Sequence, residues 1–153
     1  MKIKTIGLTL ALSFALGAFC FASPQMGTWK LNEAKSKLSP GLGKNTTVVY
    51  EAAGDQTKVT VDGTDAEGKA SHNEWTGKFD GKEYALTGDP NADMRSYTMV
   101  NANTMKLTNK KDGKVTASGR IVVAADGKSR TVTTSGTDAK GKKFKNVSVY
   151  DKE

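Results

Sequence analysis

Glycine turns punctuate this chain at short, regular intervals, and few folds tolerate that. Asp80-Gly81, Asp112-Gly113 and Asp126-Gly127 are each followed by lysine and flanked by β-forming residues. Asp-Gly is a strong hairpin signal, because a type I′ turn needs positive φ at both central positions. Glu67-Gly68-Lys69 and Lys140-Gly141-Lys142 read as turns of related geometry. Gly88-Asp89-Pro90-Asn91 and Asn101-Ala102-Asn103 break up the middle of the chain. A sequence interrupted this often has no room for a sustained helical stripe, and short strands fit between the turns.

Ten strands are expected, at 27–31, 45–52, 57–63, 70–79, 82–87, 94–100, 104–110, 114–124, 128–136 and 143–151. Val59 and Val61 share one face, as do Trp75 and Phe79, and Met105 and Leu107. Alternation at period two places one wall of a sheet against an apolar interior and the other in water. Asn32 to Lys44 has room for one helical turn before Pro40, Gly41 and Gly43, and is expected to be a loop or short lid. A meander of this size in one small domain leaves exposed edges, which closure removes. The expected fold is therefore all-β: an antiparallel up-and-down meander of about 8–10 strands closed into a small barrel, either packed with side chains or holding one ligand.

One segment occurs twice. Residues 59–69, ending in Gly63-Thr64-Asp65-Ala66-Glu67-Gly68-Lys69, resemble 132–142, ending in Gly136-Thr137-Asp138-Ala139-Lys140-Gly141-Lys142. A shared hairpin geometry explains the echo, with Asp65 and Asp138 accepting backbone N–H bonds across their turns. Asp62, Asp65 and Glu67 also suggest a calcium loop. The acidic series is too short for an EF-hand, however, and the second copy has Lys140 in place of Glu67.

The N-terminus has the three parts of a secretory signal. Lys2 and Lys4 precede an apolar run from Ile6 through Phe21, and Cys20-Phe21-Ala22 offers small residues where a signal peptidase reads. The run falls short of the ~20 residues that span a bilayer, and Gly7, Ser13 and Gly17 interrupt it. The expected organisation is a cleaved signal at 1–22 and a single barrel domain at 23–153, periplasmic or secreted, with no transmembrane segment after cleavage. Cys20 is the only cysteine, and Phe19 stands where a lipoprotein signal wants Gly or Ala. A chain cut after Ala22 carries no thiol, so packing and the sheet must supply its stability.

The formal charge is +7, and loss of Lys2 and Lys4 leaves +5. Lys69, Lys82, Lys114, Lys128 and Lys142 flank glycine turns, where they keep turns solvated and blunt strand edges. No basic run is interleaved with stacking aromatics, so no nucleic-acid partner is expected.

His72 is the only histidine, in Ser71-His72-Asn73-Glu74-Trp75. Period two puts His72 and Glu74 on one face and Trp75 on the other. Such a pair is capable of acid–base chemistry. No nucleophile stands out among the many serines and threonines, and the pair reads as solvent-facing. No catalytic residue, metal or cofactor is expected.

Gly27-Thr28-Trp29-Lys30-Leu31 resembles the Gly-x-Trp signature that opens calycin barrels, which include lipocalins, fatty-acid-binding proteins and avidins. Val149-Tyr150-Asp151-Lys152 looks like the last strand of a fatty-acid-binding protein. The domain is also similar to small bacterial exported proteins described as lipocalin-like. The resemblance implies that Trp29 closes one end of the barrel and that the first and last strands are neighbours. It further implies a monomer that binds a small apolar or amphipathic ligand without catalysis.

The departures narrow this. Asn32 to Lys44 is too short for the two helices of fatty-acid-binding proteins. Ser148 stands where their anion-pairing arginine would be, and only Trp29 and Trp75 are present against the several tryptophans of avidins. The candidate ligand-binding residues are Trp75, Tyr84, Arg95, Tyr97, Met99 and Tyr150. Arg95, Tyr97 and Met99 alternate onto one face. Facing inward they make an apolar wall with a cationic anchor for an acidic head group; facing outward they leave the core to Met94 and Val100. Tyr50 and Tyr150 also suit barrel packing. The alternative is a packed structural or interaction module of the envelope, its basic turns contacting anionic polymer or a protein partner.

Overall fold

The computed structural model describes residues 23–153; the expected signal at 1–22, with Cys20, lies outside the described residues. Ten strands follow one another: β1 (Gly27–Leu31), β2 (Lys44–Ala53), β3 (Gln56–Thr64), β4 (Ala70–Gly77), β5 (Tyr84–Thr87), β6 (Met94–Asn101), β7 (Thr104–Lys111), β8 (Lys114–Val123), β9 (Ser129–Thr137) and β10 (Lys143–Lys152). Each pairs antiparallel with its sequence neighbour, and β1 pairs with β10, closing the barrel. The closing register is Trp29↔Lys152, Lys30↔Asp151 and Leu31↔Tyr150. The first and last strands are thus neighbours, and the sheet has no free edge.

Inward and outward residues alternate as the pattern requires. Trp29, Val48, Tyr50, Val59, Val61, Trp75, Leu86, Tyr97, Met105, Leu107, Ile121, Val123 and Tyr150 are buried. Trp29 is fully buried, its indole N–H donating to the Gln25 carbonyl at 2.8 Å. At the seam, the segment after β1 forms one 3-10 turn (Glu33–Lys35) and then continues along β10 through a Lys37↔Val147 bridge. Ser36 Oγ donates to the Asn32 carbonyl at 2.7 Å and accepts from Val149 N at 2.9 Å. The expected lid is therefore a strap tied along the last strand.

The turns divide. Asp112 (φ 48°) and Gly113 (φ 75°) both take positive φ, as a type I′ turn requires. At the other two Asp-Gly pairs only the glycine does, and the tight two-residue hairpin is not formed. At Asp126-Gly127 the last β8–β9 pair is Val123↔Arg130, which leaves a longer loop in which the Asp126 carboxylate accepts from Lys128 N at 2.9 Å. At Asp80-Gly81 the chain leaves β4 early. Phe79 turns inward to stack on Trp75, ring centroids 6.2 Å apart, and Gly81 N donates to the Tyr97 carbonyl of β6 at 2.8 Å. The expected strands 70–79 and 82–87 shorten accordingly.

The echoed segments adopt one geometry. Asp65 Oδ1 accepts from the backbone N–H of Glu67 (3.0 Å) and Lys69 (2.8 Å), and Asp138 Oδ1 from Lys140 (2.9 Å) and Lys142 (2.8 Å). The repeated glycine has its own cause. A Cβ on Gly63 would stand 2.0 Å from the Lys44 carbonyl oxygen, and one on Gly136 2.1 Å from that of Thr116. Neighbouring backbone fills the side-chain space at both positions. Gly63→Ala and Gly136→Ala should each lower stability by roughly 1–3 kcal/mol as overpacking substitutions. Urea unfolding midpoints will show it, and an unchanged midpoint would mean the strands separate freely there.

Candidate functional site

The inward face of β6 brings Arg95 and Tyr97 into the barrel, with Met99 half-buried behind them, while Val100 lies outside at 45% exposure. Of the two readings of this strand, the structure selects the inward one. Trp75 on β4 meets the same cluster. Its ring is edge-on to Tyr97 at 4.8 Å and to Tyr84 at 5.7 Å, and its indole N–H donates to the Arg95 carbonyl at 2.9 Å. Tyr84 is half-buried at the rim, its hydroxyl donating to Asp80 Oδ2 at 3.0 Å. Five of the six expected residues thus gather on β4 to β6. Tyr150 is buried on β10, its hydroxyl donating to the Asn45 carbonyl at 3.1 Å.

Tyr150 belongs to a second cluster, built around Arg130, which the sequence reading did not single out. Arg130 is 2% exposed. Its guanidinium carbon lies 4.8 Å from the Trp29 ring centroid, 4.9 Å from that of Tyr50 and 5.1 Å from that of Tyr150. The signal was present: Arg130 shares parity with Val132, the apolar residue of its strand, so period two puts both inside. Tyr50 links the clusters, 6.3 Å from Tyr97.

The two arginines are satisfied differently. Arg95 Nε donates to Asn109 Oδ1 at 2.7 Å and Nη1 to the Tyr97 hydroxyl at 3.4 Å. Arg130 Nε and Nη1 are buried with no hydrogen-bond acceptor. Aromatic faces stabilise a cation, but they replace an oxygen acceptor poorly. The buried polar residues are Gln25, Asn73, Arg95, Thr104 and Arg130, so no carboxylate is buried beside the guanidiniums among the described residues. Tyrosinate does not supply the missing charge. Burial pushes the Tyr97 hydroxyl well above its ordinary range, although Arg95 opposes the shift. Burial likewise pushes Tyr150 up to about 12, opposed by Arg130. Both hydroxyls are neutral at physiological pH.

Beneath the strap lies a partly enclosed space of about 90 Å³, lined by Leu31, Leu38, Asn45, Thr134, Asn146 and Tyr150 among others. Tyr150 is common to this space and to the Arg130 cluster. Val132, the next inward residue of β9 after Arg130, also lines it.

His72 stands outside this arrangement, on the outer face of β4. Its Nδ1 is 2.6 Å from Asp62 Oδ1, and its Nε2 is 3.5 Å from Glu74 Oε1, which also meets Lys58 Nζ at 2.9 Å. Trp75 faces the interior, so the expected division of faces holds. Asp62 is turned to His72 and Asp65 to its own turn. No group of three or more His, Cys, Asp or Glu suited to a metal ion occurs among the described residues.

Two titrations follow. Hydrogen bonding to Asp62 raises the His72 pKa above 6.5. The ion pair's contribution to stability is full below the unfolded value and is lost as pH rises through the folded one. Histidine NMR should find a raised value that Asp62→Asn returns toward 6.5; no change would remove Asp62 as the cause. The tyrosines act at the alkaline end. Unfolded tyrosine ionises near 10.0 while folded Tyr150 holds its proton to about 12, so stability should fall as pH rises across that interval. Phenolate absorbance followed beside circular dichroism should show late ionisation coinciding with unfolding. Early ionisation of every tyrosine in the folded chain would contradict the buried placement.

No family model matches this chain, and no curated protein does. Solved structures similar to it include EF1p2_mFAP2b bound to DFHBI, at 12% identity over 85% of this chain and 94% of that one, with a TM-score of 0.46. Another is a redesigned β-barrel, mFAP1, bound to DFHBI, at 17% identity over 85% of this chain and 98% of that one, with a TM-score of 0.43.

Proposed function

We propose that this chain is an exported, non-catalytic binding barrel of lipocalin-like kind, acting in the periplasm or outside the cell on a small acidic ligand. The observation that carries this reading is the pair of buried guanidiniums, Arg95 and Arg130, with no buried carboxylate between them. A buried charge is costly unless it is paired and hydrogen-bonded, and two Arg130 donors lack acceptors. An anionic group supplies both the charge and the oxygens. A purely apolar ligand supplies neither.

Size narrows the class further. Drug-sized ligands occupy pockets of roughly 300–1,000 Å³. The space beneath the strap, about 90 Å³, has the size of an anionic group of a few heavy atoms. Lys44 and Tyr150 line it and neither guanidinium does, so reaching Arg130 requires side chains there to shift, and a longer tail requires the strap to move. Tyr97, Tyr150 and Asn109 stand beside the two arginines as neutral partners. The side chains that contact the two guanidiniums among the described residues, Trp29, Tyr50, Tyr97, Asn109 and Tyr150, include no nucleophile paired with a base, which favours binding over turnover.

Native mass spectrometry of the protein purified from its own host, followed by extraction, tests the reading. A stoichiometric small acid is expected on a chain beginning at Ser23. Short carboxylates and inorganic phosphate should raise the melting temperature of the stripped protein. Arg130→Met and Arg95→Met, folded by near-ultraviolet circular dichroism, should each weaken that binding by at least about thirtyfold. A bare mass with no anion-induced stabilisation would overturn the proposal.

A further inference from the structure

The outer wall carries a second cationic feature, unrelated to the interior. On the faces of β7, β8 and β9 that point away from the barrel, Lys106 stands directly opposite Arg120, and Arg120 opposite Thr133. Like charges in direct cross-strand register are destabilising. Both side chains are exposed, and neither has a carboxylate within ion-pairing distance among the described residues. Strands β6 to β9 contain no Asp or Glu. The outer face of β3 and β4 is the opposite case, with Lys58, Asp62, His72 and Glu74 mutually paired.

The Lys106–Arg120 pair lies in a shallow open depression of about 540 Å³, whose other lining residues are the hydroxyl-bearing Thr108, Ser118, Thr131, Thr133 and Ser135 together with Leu107, Gly119 and Val122. We infer that this depression is a binding surface for a linear acidic polysaccharide, with Lys106 and Arg120 meeting its carboxylates and the hydroxyls meeting its sugar hydroxyls. The chemistry argues for that occupant. No aromatic ring lines the depression, so nucleobases have nothing to stack on. Val122, at 40% exposure, is the exposed large apolar residue there, too little to enter a bilayer. An acidic polymer needs neither, and relieves the repulsion that the bare surface carries.

Calorimetric titration of the protein with oligogalacturonate tests this. Lys106→Gln with Arg120→Gln should weaken binding by about tenfold and leave thermal stability unchanged or raised, since a repulsion is removed. Thr133→Val, which deletes one hydroxyl at nearly constant shape, should weaken it about threefold. Lys140→Gln with Lys142→Gln removes the same charge from a distant turn and should change affinity by less than about twofold. Equal losses in the two double variants would reduce the effect to net charge and overturn the inference. Undiminished binding in the Lys106/Arg120 variant would overturn it as well, as would equal or tighter binding of single-stranded DNA or phosphatidylglycerol vesicles.

Discussion

The Arg130 guanidinium is held by aromatic rings from three strands. Trp29 comes from β1, Tyr50 from β2 and Tyr150 from β10, while Arg130 itself stands on β9. These four strands are consecutive around the barrel, and the junction of β1 with β10 between them joins strands from opposite ends of the described chain. Each desolvated cation–π contact is worth about 2 kcal/mol. Three together are of the same order as the several kcal/mol that burial of an ion costs. The cluster thus makes a buried charge tolerable while drawing the first and last strands together. Two of its guanidinium nitrogens, Nε and Nη1, stay buried without an acceptor.

Trp75, Phe79, Tyr84 and Tyr97 interlock through stacked and edge-on contacts, and Met105 and Val59 are fully buried. This filling stabilises a small barrel without disulfides and leaves little room for a ligand. The strap from Asn32 onward, Leu38 included, stands over the partly enclosed space beside Tyr150. It is tied to β10 by a handful of hydrogen bonds rather than by a full ladder. Local opening costs least where few bonds must break, so the interior is reached most readily there.

The legible part of the site was whatever period two controls. Arg95 and Tyr97 had to share a face, as did His72 and Glu74, and the structure keeps both relations. Which face pointed inward was another matter, because Arg95-Tyr97-Met99 and Met94 with Val100 are both plausible core sets for one strand. Arg130 was passed over because a lone arginine among threonines resembles ordinary surface, although its parity with Val132 carried the information. The Asp80-Gly81 turn failed for a different reason. The Asp-Gly preference is local, and the stacking of Phe79 on Trp75 outweighed it.

What the amino-acid sequence determined by itself was therefore everything set by neighbours along the chain. Strand number and order follow from glycine spacing, and the alternation of faces from the geometry of an extended backbone. The paired loops at Asp65 and Asp138 follow from carboxylates that reach their own turns. Only the tertiary structure decided which parity faced the interior, which turns tightened, and which cations met. Those outcomes depend on contacts between residues far apart in sequence: Trp29 with Arg130, Trp75 with Tyr97, Lys106 with Arg120. Such contacts exist only once the barrel has closed, because closure sets the distance across the interior and the register along the wall.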